Sequence, residues 1–335
     1  MKDILNSVIL GDCLIESNLI EDSSVDLILT DLPYGVLQPN HNGKAYKQFY
    51  GDKTRWDFAI EPSEIFKIAN RILRKNGKMI LFSQEPYTSK LISSAIPSVP
   101  FSYKMIWKKD TFGSHLKCNI APLGFFEEIL VFTKPNPKLD YKKANPLRDI
   151  MLKYVDEYGK DYIIDLFIKE GRYSSETSAR VHAAHKFGFN KGARFDFLDK
   201  KMFNYLSEFI DFKETYDNLK TIYTEYKTKQ DEELNLKYPN TFNLKSDEKY
   251  KSNVLEYKKD KEGLHPTQKP IALLEDLINT YTNKGELVVD LTSGSSSTAI
   301  ASINTNRNFI CIEKDEEYYE KSLERIKLHK EFKSK

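Results

Sequence analysis

Residues 25–35 read Val25-Asp26-Leu27-Ile28-Leu29-Thr30-Asp31-Leu32-Pro33-Tyr34-Gly35. An apolar run of strand length passes straight into an acid, a proline and an aromatic, so the chain turns where the strand ends. The Asp31 carboxylate, neighbouring backbone carbonyls and the Tyr34 ring then converge at one strand's carboxyl end. Such a cluster can accept hydrogen bonds from an exocyclic amino group. It can also stack on the flat base that carries the amine, an interaction worth roughly 1–3 kcal/mol per base. A nucleobase amine is a poor nucleophile because its lone pair is delocalised into the ring. Acceptors on its N–H groups bias that pair toward an incoming methyl group, with no covalent enzyme intermediate. The same residues also read as a strand closed by a proline turn.

On either side of this stretch strands and helices alternate. Strand-like runs fall at Val25–Thr30, Lys78–Ser83, Ser102–Trp107 and Glu128–Phe132. Between the first two, Ile65, Phe66, Ala69, Ile72 and Leu73 recur at helical spacing, with Gly77 where that helix should stop. The alternation returns near the end: a helix after Pro270, a strand Leu287–Asp290, a helix from about Ser296, a strand Phe309–Glu313 and a final helix. Strands alternating with helices of this length predict an α/β fold, a parallel or mostly parallel sheet with helices on both faces. The middle is different: rich in Lys, Tyr, Asp and Phe, helical in period and without convincing strands, with 214–232 reading as one long exposed helix. The expected organisation is therefore 1–140 and 246–335 as two halves of one α/β domain, flanking a mostly helical insertion at 141–245.

Composition narrows the class. The 335 residues are 40% hydrophobic and 30% charged, enough for a globular core in two domains or one with a large insertion. No run of about 18 apolar residues occurs and no basic-then-apolar leader opens the chain, so the expectation is a soluble, cytoplasmic protein with no membrane partner. Cys13, Cys118 and Cys311 are far apart and form no C-x-x-C pair, so neither a metal site nor a disulfide framework is indicated. A net charge of +2 does not by itself indicate nucleic-acid binding. Lysines nevertheless crowd 134–144 and 218–262, interleaved with Tyr223, Tyr226, Tyr238, Tyr250 and Tyr257. That pattern reads either as a solvated helical face or as a surface that tracks phosphates.

Two further segments carry chemistry. Asp290-Leu291-Thr292-Ser293-Gly294-Ser295-Ser296-Ser297-Thr298 follows a strand and precedes a helix, a turn in which backbone amides can approach a ligand. The next strand ends in Glu313, near the spacing at which an acid takes ribose hydroxyls in nucleotide-binding folds. No Walker lysine follows the loop, which argues against a triphosphate. His265-Pro266-Thr267-Gln268-Lys269-Pro270 reads as a rigid loop before a helix, and its histidine has no catalytic partner in sequence.

Together these segments resemble the S-adenosylmethionine-dependent DNA amino-methyltransferases, in the β-type order with the catalytic motif first, target recognition in the middle and the cofactor loop last. The likeness covers about 1–135 and 262–330. Asp31-Leu32-Pro33-Tyr34 is similar to the family's D-P-P-Y motif, and Gly11-Asp12-Cys13-Leu14 to the stretch leading into it. Trp56-Asp57 matches a pair common after that motif, while Trp107-Lys108 and 128–132 resemble later strands of the catalytic half. HPTQKP at 265–270 matches the segment before the cofactor loop, 290–298 the D-x-F-x-G-S-G-T-T loop, and Glu313 the ribose-binding acid. The resemblance implies a Rossmann-like methyltransferase sheet plus an inserted target-recognition region. It implies Asp31, Leu32, Pro33 and Tyr34 as catalytic, and Asp12, His265, Thr267, Lys269, Asp290, Thr292, Gly294, Ser295 and Glu313 as binding S-adenosylmethionine. The chain departs from the pattern at three positions. Leu32 replaces a proline that contributes mainly a carbonyl, Thr292 replaces a phenylalanine, and Ser296 replaces a glycine. The last would crowd the cofactor if the position requires positive φ.

In such relatives aspartate at the first motif position implies methylation of adenine's 6-amino group, whereas serine implies cytosine's 4-amino group. Asp31 therefore favours adenine in duplex DNA, reached by flipping the base at a cost of a few kcal/mol. The helical middle is expected to supply the grip. Within 171–197, Arg172, Arg180, Lys186, Asn190 and Arg194 are candidates for base or phosphate contacts, and the segment also reads as a helix-turn-helix variant. His182 and His185 read equally as ordinary surface residues. Alternatives at this level are a cytosine 4-amino methyltransferase, an RNA or protein amide methyltransferase, and a catalytically silent DNA-binding protein on the same fold. No nuclease motif is evident, so restriction would need a separately encoded endonuclease. The expected state is monomer or homodimer.

Overall fold

The computed structural model describes residues 2–35, 59–113, 119, 122–136, 145–189, 195–260 and 268–333. The chain divides into two compact units, one formed by 1–136 with 240–335 and the other by 137–239. The first unit opens with β1 (Ser7–Leu10), α1 (Cys13–Glu16), β2 (Val25–Thr30), α2 (Pro62–Ile72) and β3 (Leu73–Ser83). It continues through α3 (Tyr87–Ser93), β4 (Phe101–Gly113) and β5 (Gly124–Thr133). The second unit holds α4 (Pro146–Tyr158), α5 (Lys160–Glu170), α6 (Glu176–Phe187), α7 (Lys200–Leu206) and α8 (Tyr216–Lys237). The chain then resumes the first unit with β6 (Val254–Glu256), α9 (Ile271–Tyr281), β7 (Leu287–Asp290), α10 (Ser297–Asn304), β8 (Asn308–Glu313) and α11 (Glu316–Lys333).

The eight strands form one sheet in the order β1-β8-β7-β2-β3-β5-β4-β6. Every neighbouring pair is parallel except the two that involve β5. The sheet is thus mostly parallel, as the alternation predicts, with one reversed strand. Both faces are covered, and for that reason the central strands read as nearly unbroken apolar runs rather than alternating ones. Side chains still alternate by face. Ile28, Met79, Leu81, Leu130 and Phe132 pack with α2 and α3 on one side. Leu27, Leu29, Ile80, Phe82, Ile129 and Val131 pack with Leu273, Leu274, Leu277 and Ile278 of α9 on the other.

The structure corrects the boundary between α2 and β3, and it lengthens the strands expected at 102–107 and 128–132 to Phe101–Gly113 and Gly124–Thr133. α2 ends at Ile72 rather than near Gly77, and β3 begins at once. Val25 pairs with Leu73 but Leu27 pairs with Lys78, so extra residues loop out of β3 between these contacts. Gly77 closes that excursion. A Cβ there would lie 2.9 Å from the Arg74 carbonyl oxygen and 3.1 Å from that of Val25, so the glycine serves close backbone approach, not helix termination. β1 and β6, short and at the two edges of the sheet, carry too few residues to announce themselves in the sequence.

Among its described residues the second unit holds helices joined by loops and no strand, with its own core that includes Leu147, Phe167, Ala183, Phe187, Met202 and Leu206. Its helix starts follow capping chemistry. Asn145, Ser175, Asp199 and Thr215 each accept a backbone N–H of the helix they precede. The long helix expected at 214–232 is α8, of which Leu219 is the buried residue. Among the described residues no helix is long and apolar enough to cross a membrane, and no cluster of His, Cys, Asp or Glu suits a metal ion.

Candidate active site

The connections leaving β7 and β2 run in opposite directions along the sheet, β7 toward β8 and β2 toward β3. The crevice outside the carboxyl ends of such neighbouring strands is where open α/β sheets bind ligands. A cleft of about 540 Å³ lies there, lined among others by Asp12, Asp31, Lys269, Asp290, Gly294 and Glu313. Six positions that the sequence scatters from 12 to 313 thus line one cavity.

On its β7 side, Asp290 is buried and ties the loop behind it. Its carboxylate accepts the Thr292 amide at 3.2 Å and the Thr298 hydroxyl at 2.6 Å. Burial pushes its pKa up to about 6, despite these hydrogen bonds. Gly294 is left-handed (φ 51°) and its amide donates to Glu313 at 2.6 Å. The other Glu313 oxygen accepts the Asp315 amide at 2.8 Å; a carboxylate has about four acceptor positions, so room remains for ligand hydroxyls. Asp12 caps α1 through the Leu14 amide (2.9 Å) and pairs with Lys314 (2.8 Å).

Ser296 is also left-handed (φ 54°), the conformation in which a serine Cβ is strained. It is fully buried and is absent from the cleft lining, and its hydroxyl meets that of Ser293 at 3.3 Å. The substitution therefore strains the turn without filling the cleft. Thr292, in place of the pattern's phenylalanine, stitches loop to motif: its hydroxyl donates to the Asp31 carbonyl at 3.0 Å and meets the Thr30 hydroxyl at 2.8 Å. From α11, Arg325 grips the same loop through the Ser295 carbonyl (2.7 Å) and the Ser297 hydroxyl (3.0 Å). Ser295 in turn donates to Gln268 at 3.1 Å.

On the β2 side, Leu32 is buried in the core beside α2, so it offers its backbone rather than its side chain to the site. The Tyr34 hydroxyl donates to Asp31 at 2.9 Å, and its ring lies 5.5 Å from that of Tyr87. Gly35 follows with φ 70°, where a Cβ would fall 2.9 Å from that of Ala59, so the turn after the motif requires glycine. The remaining Asp31 oxygen is paired with the Lys269 ammonium. Burial raises the Asp31 pKa although Lys269 opposes it. For Lys269 burial is outweighed by Asp31 and Glu127, which hold it above the ordinary lysine range.

Glu127 is the residue the sequence reading missed. Continuing the alternation of Leu27 and Leu29 brings Asp31 to the α9 side of the sheet. Ile129 and Val131 bring Glu127 there on β5, and Met105 and Trp107 bring Lys109 on β4. Glu127 accepts from Lys109 at 2.5 Å, and its other oxygen lies 3.3 Å from Lys269. Lys269 also stands 5.0 Å over the Phe82 ring. The available signal was an acid interrupting an apolar strand on its inward phase. Lys269, assigned by resemblance to the cofactor, lines the cleft but spends its charge on Asp31 and Glu127.

Of the expected DNA-binding side chains, Arg172 is paired with Glu170 and Asp199, both at 2.7 Å, and Lys186 caps the Phe197 carbonyl at 2.7 Å. Arg180 is exposed on α6. His182 stacks on Tyr173 at 4.6 Å. Asn190, Arg194, His265, Thr267, Trp56 and Asp57 lie outside the described residues.

The site is thus an acidic cleft at the switch point of a mostly parallel sheet, with Asp31 and Pro33 of the turn after β2 in its lining. The DNA methylase family model (N6_N4_Mtase) matches residues 25–324, and the chain belongs to that family. Among curated relatives, the type II methyltransferase M2.MboI of Moraxella bovis is 43% identical over 79 residues, covering 22% of this chain and 29% of the relative. DNA adenine methyltransferase YhdJ of Escherichia coli K12 is 41% identical over 70 residues, covering 21% and 24%. The matched stretches thus span less than a third of these relatives' lengths. Among solved structures, the cytosine-N4-specific PvuII DNA methyltransferase aligns over 96% of this chain and 90% of its own, with TM-score 0.48 and 14% identity.

Proposed function

We propose that this protein transfers a methyl group from S-adenosylmethionine to the 6-amino group of a flipped adenine in duplex DNA. The observation that carries the reading is the Asp31 carboxylate opening into the same cleft as Asp12, Asp290, Gly294 and Glu313. The side chains fit the cofactor: carboxylates to accept from ribose hydroxyls and adenine and to face a cationic sulfonium, and, among the described residues, no cluster of basic groups in the cleft lining for a triphosphate. Asp12, Asp290, Gly294, Ser295 and Glu313 are the residues to hold it.

Bound S-adenosylmethionine supplies an electrophilic methyl carbon on a sulfonium that leaves as a neutral thioether. The protein's own residues prepare the acceptor. Asp31 and the Leu32 carbonyl accept hydrogen bonds from the two amine N–H groups, which biases the lone pair back to nitrogen and aims it into the cleft. Tyr34, backed by Tyr87, provides the ring on which the base stacks. As the N–C bond forms the nitrogen sheds a proton to water, and the carboxylate at hydrogen-bonding range stabilises the positive charge that develops. Asp31 acts as an acceptor that positions the amine, not as a base that must carry the proton away.

The family's model spans N6 and N4 acceptors, so the choice of adenine over cytosine rests on Asp31 and on likeness to the adenine-specific relative. Type II relatives make a separately encoded endonuclease the expected partner. The test is transfer of labelled methyl to mixed-sequence duplex DNA. Wild-type protein is expected to label DNA and Asp31→Ala to fall to background; DNA binding without label would favour a silent DNA-binding protein instead.

A further inference from the structure

Four charged side chains form a chain beside the catalytic turn: Asp31, Lys269, Glu127 and Lys109, alternating in sign. Lys269 and Lys109 are each only 7% exposed. The Lys269 ammonium donates to Asp31 where the amine of a bound base would donate, since both are N–H donors seeking the same carboxylate. A fixed cation there would oppose the reaction, because the acceptor nitrogen itself becomes cationic as the methyl arrives. Glu127 offers the cation another place. Its Oε2 atom is buried with no hydrogen bond among the described residues, yet lies 3.3 Å from Lys269 Nζ.

We propose that Lys269 is a movable placeholder: it occupies Asp31 until the target base enters, then turns to Glu127, which is a positioning residue acting through it. The inference rests on the methyl-transfer reading above. It gives Lys269 two duties. Before the base arrives it keeps a buried carboxylate ionised and the pocket neutral, and afterwards it withdraws from the reacting nitrogen. Among the described residues, the titratable and charged groups that face Asp31 fit this reading. They are Tyr34 from its own turn, Lys269 before α9, Glu127 on β5 and Asp290 on β7, with Lys109 on β4 and Lys259 after β6 behind Glu127.

The experiment is the pH profile of methyl transfer to duplex DNA, measured with labelled S-adenosylmethionine for wild type, Lys269→Met and Glu127→Gln. In Lys269→Met the buried Asp31 loses its cation and protonates more readily. The acid limb is expected to move up by at least one pH unit, with the rate returning toward wild type on the alkaline side. In Glu127→Gln the lysine stays on Asp31: the rate is expected to fall about tenfold at every pH, with donor affinity within twofold of wild type. Labelled DNA with an unmoved limb in Lys269→Met overturns the inference and leaves the methyl-transfer reading standing. Wild-type protein that labels no DNA overturns both. Where Lys269→Met does not fold, Glu127→Gln decides, and a rate near wild type in that variant overturns the placeholder.

Discussion

Asp290 illustrates how a buried carboxylate costs the fold. It is buried at the end of β7, where it accepts from Thr292 and Thr298, and burial lifts its pKa from 3.8 to about 6. The folded state therefore holds this proton more tightly than the unfolded chain. The stability it contributes is complete below about pH 3.8 and is lost as pH rises through about 6. Asp290→Asn removes the titration. Relative to that variant, wild type is expected to lose about 2 kcal/mol between pH 4 and pH 8. Urea denaturation across that range measures it, and a pH-independent difference would mean that Asp290 is not buried as an ion. Ser296 carries a second local cost. Its left-handed backbone is where a glycine would be unstrained, and its buried side chain lies against Ser293.

At the scale of elements, the loop 291–296 is held by three others: α11 through Arg325, β2 through Thr292 and β8 through Glu313. Arg325→Met deletes the charged donor to Ser295 and Ser297. Stability is expected to fall by about 2 kcal/mol and donor binding to weaken in calorimetry; unchanged affinity would detach α11 from cofactor binding. This part of the molecule was well legible. β7 and the helix after it are marked by an apolar run, a Gly-Ser turn and a renewed helical period. Gly77 was misread because a glycine after a helical pattern suggests a stop, whereas its reason is the approach of two β2 and β3 carbonyls. Glu127 was passed over for a related reason. Its partners Lys109 and Lys269 lie 18 and 142 positions away, and only the sheet order brings them together.

Over the whole molecule, the mostly parallel sheet followed from the alternation of apolar runs with helical periods, and the change in periodicity near 140 and 245 set the expected insertion at 141–245. The structure divides the chain at 136/137 and 239/240. Motif order made the cleft readable because each segment ends a strand, and parallel strands deliver their carboxyl ends to one side. Side chains of the helical unit were less readable. Arg172 and Lys186 looked like nucleic-acid contacts by type alone, yet local acids and a carbonyl occupy them. The reading that joins these scales is methylation of an adenine amine positioned by Asp31. Its most direct measurement is mass spectrometry of nucleosides from duplex DNA incubated with the protein and S-adenosylmethionine. N6-methyldeoxyadenosine is expected, and it should disappear with Asp31→Ala; N4-methyldeoxycytidine in its place, or no methylated nucleoside, would contradict it.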